Sequence, residues 1–426
     1  MVIKPIQPPH TRAWDEYVKA SPKANLYHLS GWQNIIHKTY GHKTYYLMAT
    51  REPESSELRA QSSKLSVKNY ELSANSYELN PDTLVGILPL VHLKHFLFGN
   101  SLVSLPFFDL GGILADNEET EKALLLQAIR LADDLKVNNI ELRHQEPLSW
   151  LSRMSQLEAQ SSNPHPTSYV YPVKFAEGNS KVYPVGPEDR TGAYFTRELS
   201  AMSWVSQTRS HKVRMLLNLP DSSEKLMKSF KSKLRSQIKK PKKEGLHARV
   251  GSLELLNDFY KVFSINMRDL GSPVHSKALI QNVLREFPEK SRIVIVYKDD
   301  QAIACSIIVG FKETLENPWA SALKKYNSLS PNMLLYWTML EYASDNGFQY
   351  FDFGRSSPDE GTYKFKEQWG ASPIPLHWHY VSLNGKPINE GGSEKSKFQR
   401  AIQYWQKLPV SFTKLLGPRI RKHIGL

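Results

Sequence analysis

Cysteine is all but absent from this chain. Cys305 is the only one among 426 residues, so no intrachain disulfide can form, and a reducing, cytoplasmic compartment is expected. It lies in the apolar run AIACSIIVGF and reads as core rather than as a nucleophile. No apolar run reaches the length of a membrane-spanning helix. The opening MVIKPIQPPH has no apolar stretch of the signal-peptide kind. Gly-x-Ser-x-Gly, the Walker phosphate loop and the dinucleotide fingerprint are all missing. His377 and His379 share one strand face but have no evident third ligand, so no metal is expected. Acidic residues are in deficit, 42 against 55 Lys and Arg, for a net charge of +13. That excess suits an anionic partner: nucleic acid, a phosphorylated ligand or an anionic membrane surface.

What is present is a long α/β chain. Its length exceeds one ordinary core and predicts two domains. A helix is expected at Trp14–Ala20, and a second over LSGWQNIIHKTYG with Ser30 as cap and Gly41 as stop. The strand HKTYYLMATRE follows. Residues 52–82, rich in Ser, Glu and Asn, read as a polar insertion. TLVGILPLVHLKH and NSLVSLPFFDLGGILAD read as two strands, EETEKALLLQAIRLADDLKV as an amphipathic helix and NNIELRH as a strand. Residues 155–200 are irregular, with one strand (SYVYPVKF) and the domain boundary. The second half repeats the plan. VRMLLNLP leads into one basic helix over 222–243, with Asp221 as cap and Glu224 completing a capping box. After LHARVGS come two helices, a hairpin across Asp299–Asp300 and the strand NPWASALKKYN. A helix closed by Gly347, the strand QYFDFGR and a last strand PIPLHWHYVSL end the half.

The stretch FDFGRSSPDEGTYKFKEQWGA, Phe351–Ala371, carries the most chemistry. It begins as a strand, breaks at Gly354, and brings Arg355, Lys364 and Lys366 into a loop among aromatics. A strand that delivers cations into a loop is one way to build an anion site. The plainer alternative makes Tyr363, Phe365 and Trp369 core and leaves the cations solvated. The basic helix carries Arg235, Lys239 and seven further lysines around an apolar stripe of Leu226, Phe230, Leu234 and Ile238. It suits tRNA phosphates, a pyrophosphate-linked lipid or an anionic bilayer, or else is a solvated face. The basic tail, split by Pro409 and Pro418, suits an anionic membrane surface or docking on the protein itself.

The element order of each half is similar to the acyltransferase fold of the GCN5-related N-acetyltransferases (GNAT). Two such units with a signature closing the second resemble the Fem (FemAB) family, aminoacyl-tRNA-dependent aminoacyltransferases that build peptidoglycan cross-bridges. Within it, the chain most resembles the Fem-like proteins of exosortase and exopolysaccharide loci. The matching pieces are KSKLRSQIKKPKKEGL, NMRDLGSPVHSK, SLSPNMLLYWTMLEYA and the Phe351–Ala371 stretch, specific from Phe230 to Leu376, with SLPFFDLGG in the first half. The resemblance implies tandem GNAT domains, each a mixed twisted sheet flanked by helices, over 1–200 and 201–385, followed by a basic tail, 386–426. It implies transfer of an acyl or aminoacyl group onto an amine of a peptidoglycan or exopolysaccharide precursor. The enzyme would be a monomer, cytoplasmic or peripheral at the inner membrane, with aminoacyl-tRNA or acyl-CoA as donor and no tightly bound cofactor.

The same resemblance assigns roles. Lys366 matches the lysine that Fem enzymes place beside the acceptor phosphates and the reacting carbonyl, where it could stabilise an oxyanion. Arg355, Lys364, Tyr363, Lys277, Arg235 and Lys239 lie in matching motifs and are expected to bind substrate. Asp109 precedes Gly111–Gly112 and is expected to be a base with a raised pKa, or else to cap the turn. Tyr326 brings a hydroxyl to the cleft, or is buried with one structural hydrogen bond. Two departures stand out. KKYNSLSPN lacks the glycines that cradle a pyrophosphate. No heptad-rich arm interrupts Val213–Leu383. The alternative from another class is a non-catalytic module that holds an anionic lipid-linked glycan.

Overall fold

The computed structural model describes residues 1–51, 83–96, 98–151, 204–384 and 394–425. The expected insertion over 52–82, the strand SYVYPVKF and the boundary within 155–200 lie outside the described residues. The first half holds β1 (Val2–Pro5), β2 (Lys43–Thr44), β3 (Leu47–Thr50), β4 (Leu84–Leu88), β5 (Val91–His95), β6 (Gly99–Val103), β7 (Leu114–Ala115) and β8 (Asn139–His144). Its helices are α1 (Thr11–Ala20), α2 (Gly31–Tyr40) and α3 (Glu118–Asp134). The second half holds β9 (Val205–Arg209), β10 (Val213–Asn218), β11 (Leu246–Gly251), β12 (Ser291–Lys298), β13 (Gln301–Phe311) and β14 (Thr314–Ala322). It continues with β15 (Tyr350–Ser356), β16 (Ser372–Pro375) and β17 (His377–Ser382). Its helices are α4 (Ser223–Ser229), α5 (Ser232–Lys243), α6 (Leu256–Asp269), α7 (Lys277–Glu286), α8 (Pro331–Asp345) and α9 (Gly361–Glu367), followed by α10 (Glu394–Lys407) and α11 (Val410–Arg421).

Among the described residues three sheets result, an antiparallel one of order β1-β3-β4-β7 and two mixed ones of orders β2-β5-β6-β8-β17-β9 and β11-β12-β13-β14-β15-β10-β16. Each half contributes one parallel pair among antiparallel neighbours, β6–β8 in the first and β14–β15 in the second. That is the repeated plan legible in the sequence. β13 is buried along nearly its whole length, as a central strand should be, and Cys305 sits in it fully buried. The halves share a core. Trp32 and Phe108 of the first pack in one cluster with Phe259, Ile293 and Phe287 of the second, and the Trp32 and Phe108 rings lie 4.4 Å apart.

Several expected elements are divided. Pro89 cannot donate to a ladder, and TLVGILPLVHLKH breaks there into β4 and β5, which enter different sheets. NSLVSLPFFDLGGILAD is a strand to Val103, then a loop, and a short strand again at β7. The 222–243 helix breaks at Phe230 into α4 and α5, and Pro241 lies inside α5 instead of ending it. Ser222, not Asp221, caps α4, while Asp221 pairs with Lys225 at 2.7 Å. Ser30 makes no side-chain cap; Gly41 does close α2, at φ 70°. The expected last strand splits at Leu376. β16 stays beside β10, but β17 crosses over and inserts between β8 and β9.

The tail folds back on the body. α11 packs on α6, Arg421 Nε bonds His275 Nε2 at 3.0 Å, and Gly425 O accepts from Phe107 N at 2.6 Å. These contacts match the reading in which the tail docks on the protein itself. Gly417 makes the approach close, since a Cβ there would stand 2.9 Å from the backbone nitrogen of Val274. Helix propensity alone predicts that Gly417→Ala stabilises the protein by about 0.5–1 kcal/mol. We expect a loss of about 1–3 kcal/mol from overpacking instead, read as a lower urea midpoint; a raised midpoint would refute the close packing.

Candidate active site

The site forms where two parallel strands part. β14 and β15 pair only from Thr314–Tyr350 to Glu316–Asp352. Beyond that point Pro318 has no amide hydrogen to offer. The Asn317 side chain turns instead to β13, donating to Ile307 O at 3.1 Å. Gly354, at φ 74°, bends β15 opposite a bulge between Arg214 and Leu216 of β10. The strands splay, and Glu316 and Asp352 are left side by side at the apex of the wedge.

Both carboxyls are buried, at 5% and 4% exposure. Arg214 grips Asp352 Oδ2 through Nε and Nη2 at 2.9 and 2.8 Å, while the other Asp352 oxygen accepts from Gly354 N at 2.8 Å. Arg214 Nη1 reaches Gln145 of the first half at 2.5 Å. Tyr27, also from the first half, hydrogen-bonds Glu316. Asp109 and Arg355 pair at 3.2 Å at the rim, and the Arg355 guanidinium lies 5.2 Å from the Trp378 ring centroid. Tyr27, Asp109, Arg214, Glu316, Asp352 and Arg355 line a cavity of about 20 Å³, room for one water molecule.

Electrostatics separate these groups. Burial, then the neighbouring Asp352 charge, pushes the Glu316 carboxyl up to about 7, against the opposing pull of Arg214 and the Tyr27 hydrogen bond. Burial brings Lys366 down to about 8, while Asp352 and Asp109 hold it up. Its ammonium donates to Gly354 O at 2.9 Å and Arg355 O at 2.7 Å. A carboxyl poised to accept a proton and a buried ammonium therefore flank the same splay.

The structure brings together Lys366, Arg355 and Asp109 of the expected residues. Lys366 and Lys364 ride on α9 rather than on a loop, because β15 continues past Gly354 to Ser356 and a helix follows. Asp109 pairs with a guanidinium, and within the cavity lining burial pushes the Glu316 carboxyl up. Tyr326 is not at the site. Its hydroxyl bonds Gln301 at 2.7 Å, at the opposite end of β13 from Val309, the partner of Glu316. Eight residues of strand put these points roughly 25 Å apart. Lys277 lies at the start of α7, bonded to Asn257, and Arg235 donates to Phe230 O at 3.0 Å inside the α4–α5 kink. Lys239 is exposed on α5 and Tyr363 half-buried on α9. Glu316, Asp352, Arg214 and Tyr27 escaped sequence reasoning. The three charged ones have one signal, a charge within an apolar strand pattern, as in TLENPWASA and YFDFGRS.

Residues 228–367 match the family model described as "Acetyltransferase (GNAT) domain". Among solved structures, FemX is 14% identical with a TM-score of 0.55, over 88% of this chain and 97% of that one. A tandem GNAT protein of the clavulanic acid pathway is 9% identical with a TM-score of 0.45, covering 91% and 99%. L-PGS from Bacillus licheniformis is 11% identical with a TM-score of 0.43, covering 77% and 88%. No curated protein matches the sequence. The chain thus has the FemX-like fold and carries a GNAT-type acyltransferase domain, whose class uses acyl-CoA as substrate. It is an acyltransferase.

The Glu316 shift makes a stability prediction. Folded Glu316 holds its proton more tightly than the unfolded chain does, so its contribution is full below pH 4.5 and is lost as pH rises to about 7. Glu316→Gln should shrink the fall in unfolding free energy between pH 5 and pH 8 by about 1–3 kcal/mol. Urea titrations at both pH values measure it, and an unchanged pH dependence would count against a buried, ionising Glu316.

Proposed function

We propose that this protein moves an activated acyl or aminoacyl group onto an amine of a cell-envelope precursor. The precursor is a peptidoglycan or exopolysaccharide intermediate, reached at the cytoplasmic face of the membrane. The observation that carries the reading is Glu316, a buried carboxyl raised to about 7, beside Lys366 at the splay of β14 and β15. Glu316 accepts a proton from the acceptor ammonium, directly or through a water in the small cavity. The freed amine attacks the acyl carbonyl, the C–N bond forms, and the bond to the thiol or ribose oxygen of the donor breaks. The leaving thiolate or alkoxide takes up the second proton, which the attacking nitrogen sheds as the amide forms. Lys366 stabilises the developing oxyanion with its remaining N–H. No nucleophilic side chain is needed, since donor and acceptor meet directly.

The acceptor identity rests on the Fem-like motifs from Phe230 to Leu376, and so does an aminoacyl-tRNA donor; the GNAT domain favours acyl-CoA. Exposed Phe412 and Leu415, beside exposed Lys414 and Arg419 on α11, support contact with an anionic membrane surface.

Turnover should be bell-shaped in pH, rising through about 7 as Glu316 ionises and falling through about 8 as Lys366 loses its proton. Glu316→Gln should lower kcat by about 10²–10³-fold, and Lys366→Met by about 10²-fold with loss of the alkaline limb. The assay follows CoA release from an acyl-CoA panel and deacylation of charged tRNA, each with amine-bearing envelope precursors. Wild-type turnover in Glu316→Gln would overturn this mechanism.

A further inference from the structure

A groove of about 840 Å³ is lined in part by α9, and none of Glu316, Asp352 and Lys366 lines it. It is built from the kink between α4 and α5, the end of β10 and the α9–Trp369 segment. Lys225, Lys231, Lys233 and Lys364 line it. Lys225 is paired with Asp221, but Lys231, Lys233 and Lys364 make no ion pair or side-chain hydrogen bond among the described residues. One carboxylate, Glu367, also faces the groove.

Two further features point to an anion. α5 is twelve residues long and opens into this groove with Lys231 at its cap. It has no side-chain cap and no acid in its first turn, so its first amides and the positive end of its dipole lack a complement. In the groove lining, Trp369 is 1% exposed and its indole N–H has no hydrogen-bond partner among the described residues. A buried N–H without an acceptor is rare in a finished structure. Arg235 takes up the carbonyls of Phe230 and Lys228 at the kink, which leaves donors and cations as the dominant groups. The place where the wider fold would cradle a pyrophosphate is poorly equipped by comparison. α8 starts with Pro331, which has no amide hydrogen, after Ser330 in place of a glycine.

We propose that this groove is a phosphate subsite that holds a phosphate or pyrophosphate ester of the acyl donor. α9 is the wall between subsite and reaction centre. Lys364 and Glu367 face the groove, while Lys366 points to the splay. One helix is about 10 Å across, so a donor anchored by its phosphate can reach over α9 with its acyl end. The assignment of the ligand as donor rests on the acyltransferase reading; the phosphate affinity does not.

The test is calorimetry on the full chain with inorganic pyrophosphate. Saturable binding is expected, about tenfold weaker in the Lys231→Ala/Lys233→Ala double variant, and tighter in Glu367→Gln. Desulfo-CoA and an uncharged CCA-ended minihelix RNA are then offered in competition. The one that pyrophosphate displaces, and that the same variants weaken, is the source of the phosphate. Absence of saturable pyrophosphate binding, or affinity unchanged in both variants, overturns the subsite. So does binding of both large ligands without competition from pyrophosphate. Weakening by the lysine variants together with full turnover of Glu316→Gln would overturn the reaction mechanism and leave the subsite standing.

Discussion

The buried pair between Arg214 and Asp352 organises the second half and its contact with the first. It fastens β10 to β15 where β15 has just parted from β14. It also extends to Gln145, so that one guanidinium is shared by two halves of the chain. Pairing alone rarely repays the desolvation of two ions. Here the remaining hydrogen-bond capacity is filled as well, by Gly354 N on the acid and by Gln145 on the base. What the pair supplies beyond stability is a fixed negative charge beside Glu316. Two carboxylates this close cannot both ionise freely. Burial first, and then that charge, makes Glu316 keep its proton to a higher pH than an ordinary carboxyl, against the pull of Arg214.

The rim is held by a different device. Phe107 adopts a φ of 76°, unusual for a bulky residue, two positions before Asp109. Such a conformation persists only where its surroundings over-determine it. Arg143, 1% exposed, donates to the carbonyls of Leu105 and Phe108, and Gly425 O receives the Phe107 amide. The backbone of Gly425 therefore helps to shape the loop that carries Asp109 to its partner Arg355 on β15.

The fold was legible wherever one element's pattern was enough. α3, α8 and the β12–β13 hairpin follow from periodicity and turn residues. Divided strands were harder. Pro89 gave a readable break, but the crossing of β17 depends on what lies beside β8, which no local pattern encodes. The site was half legible. Arg355 and Lys366 announce themselves as cations among aromatics. Glu316 and Asp352 come together only because β14 and β15 pair for three positions and then part, a long-range fact. Tyr326 misled because its neighbourhood in the sequence borders a helix start that is functional in related folds. Its hydroxyl is spent at the other end of the sheet.

The insertion of β17 between β8 and β9 makes the order of synthesis matter. His144 pairs with His377, more than two hundred residues later in the chain. At translation rates of about 5–20 residues per second, β8 waits on the order of ten to fifty seconds for its neighbour. During that interval its edge is an unpaired row of amides and carbonyls, a template for pairing with other chains. A protein wired this way closes its first sheet last, and a nascent chain stalled before His377 has its reaction centre encoded but its first half incomplete.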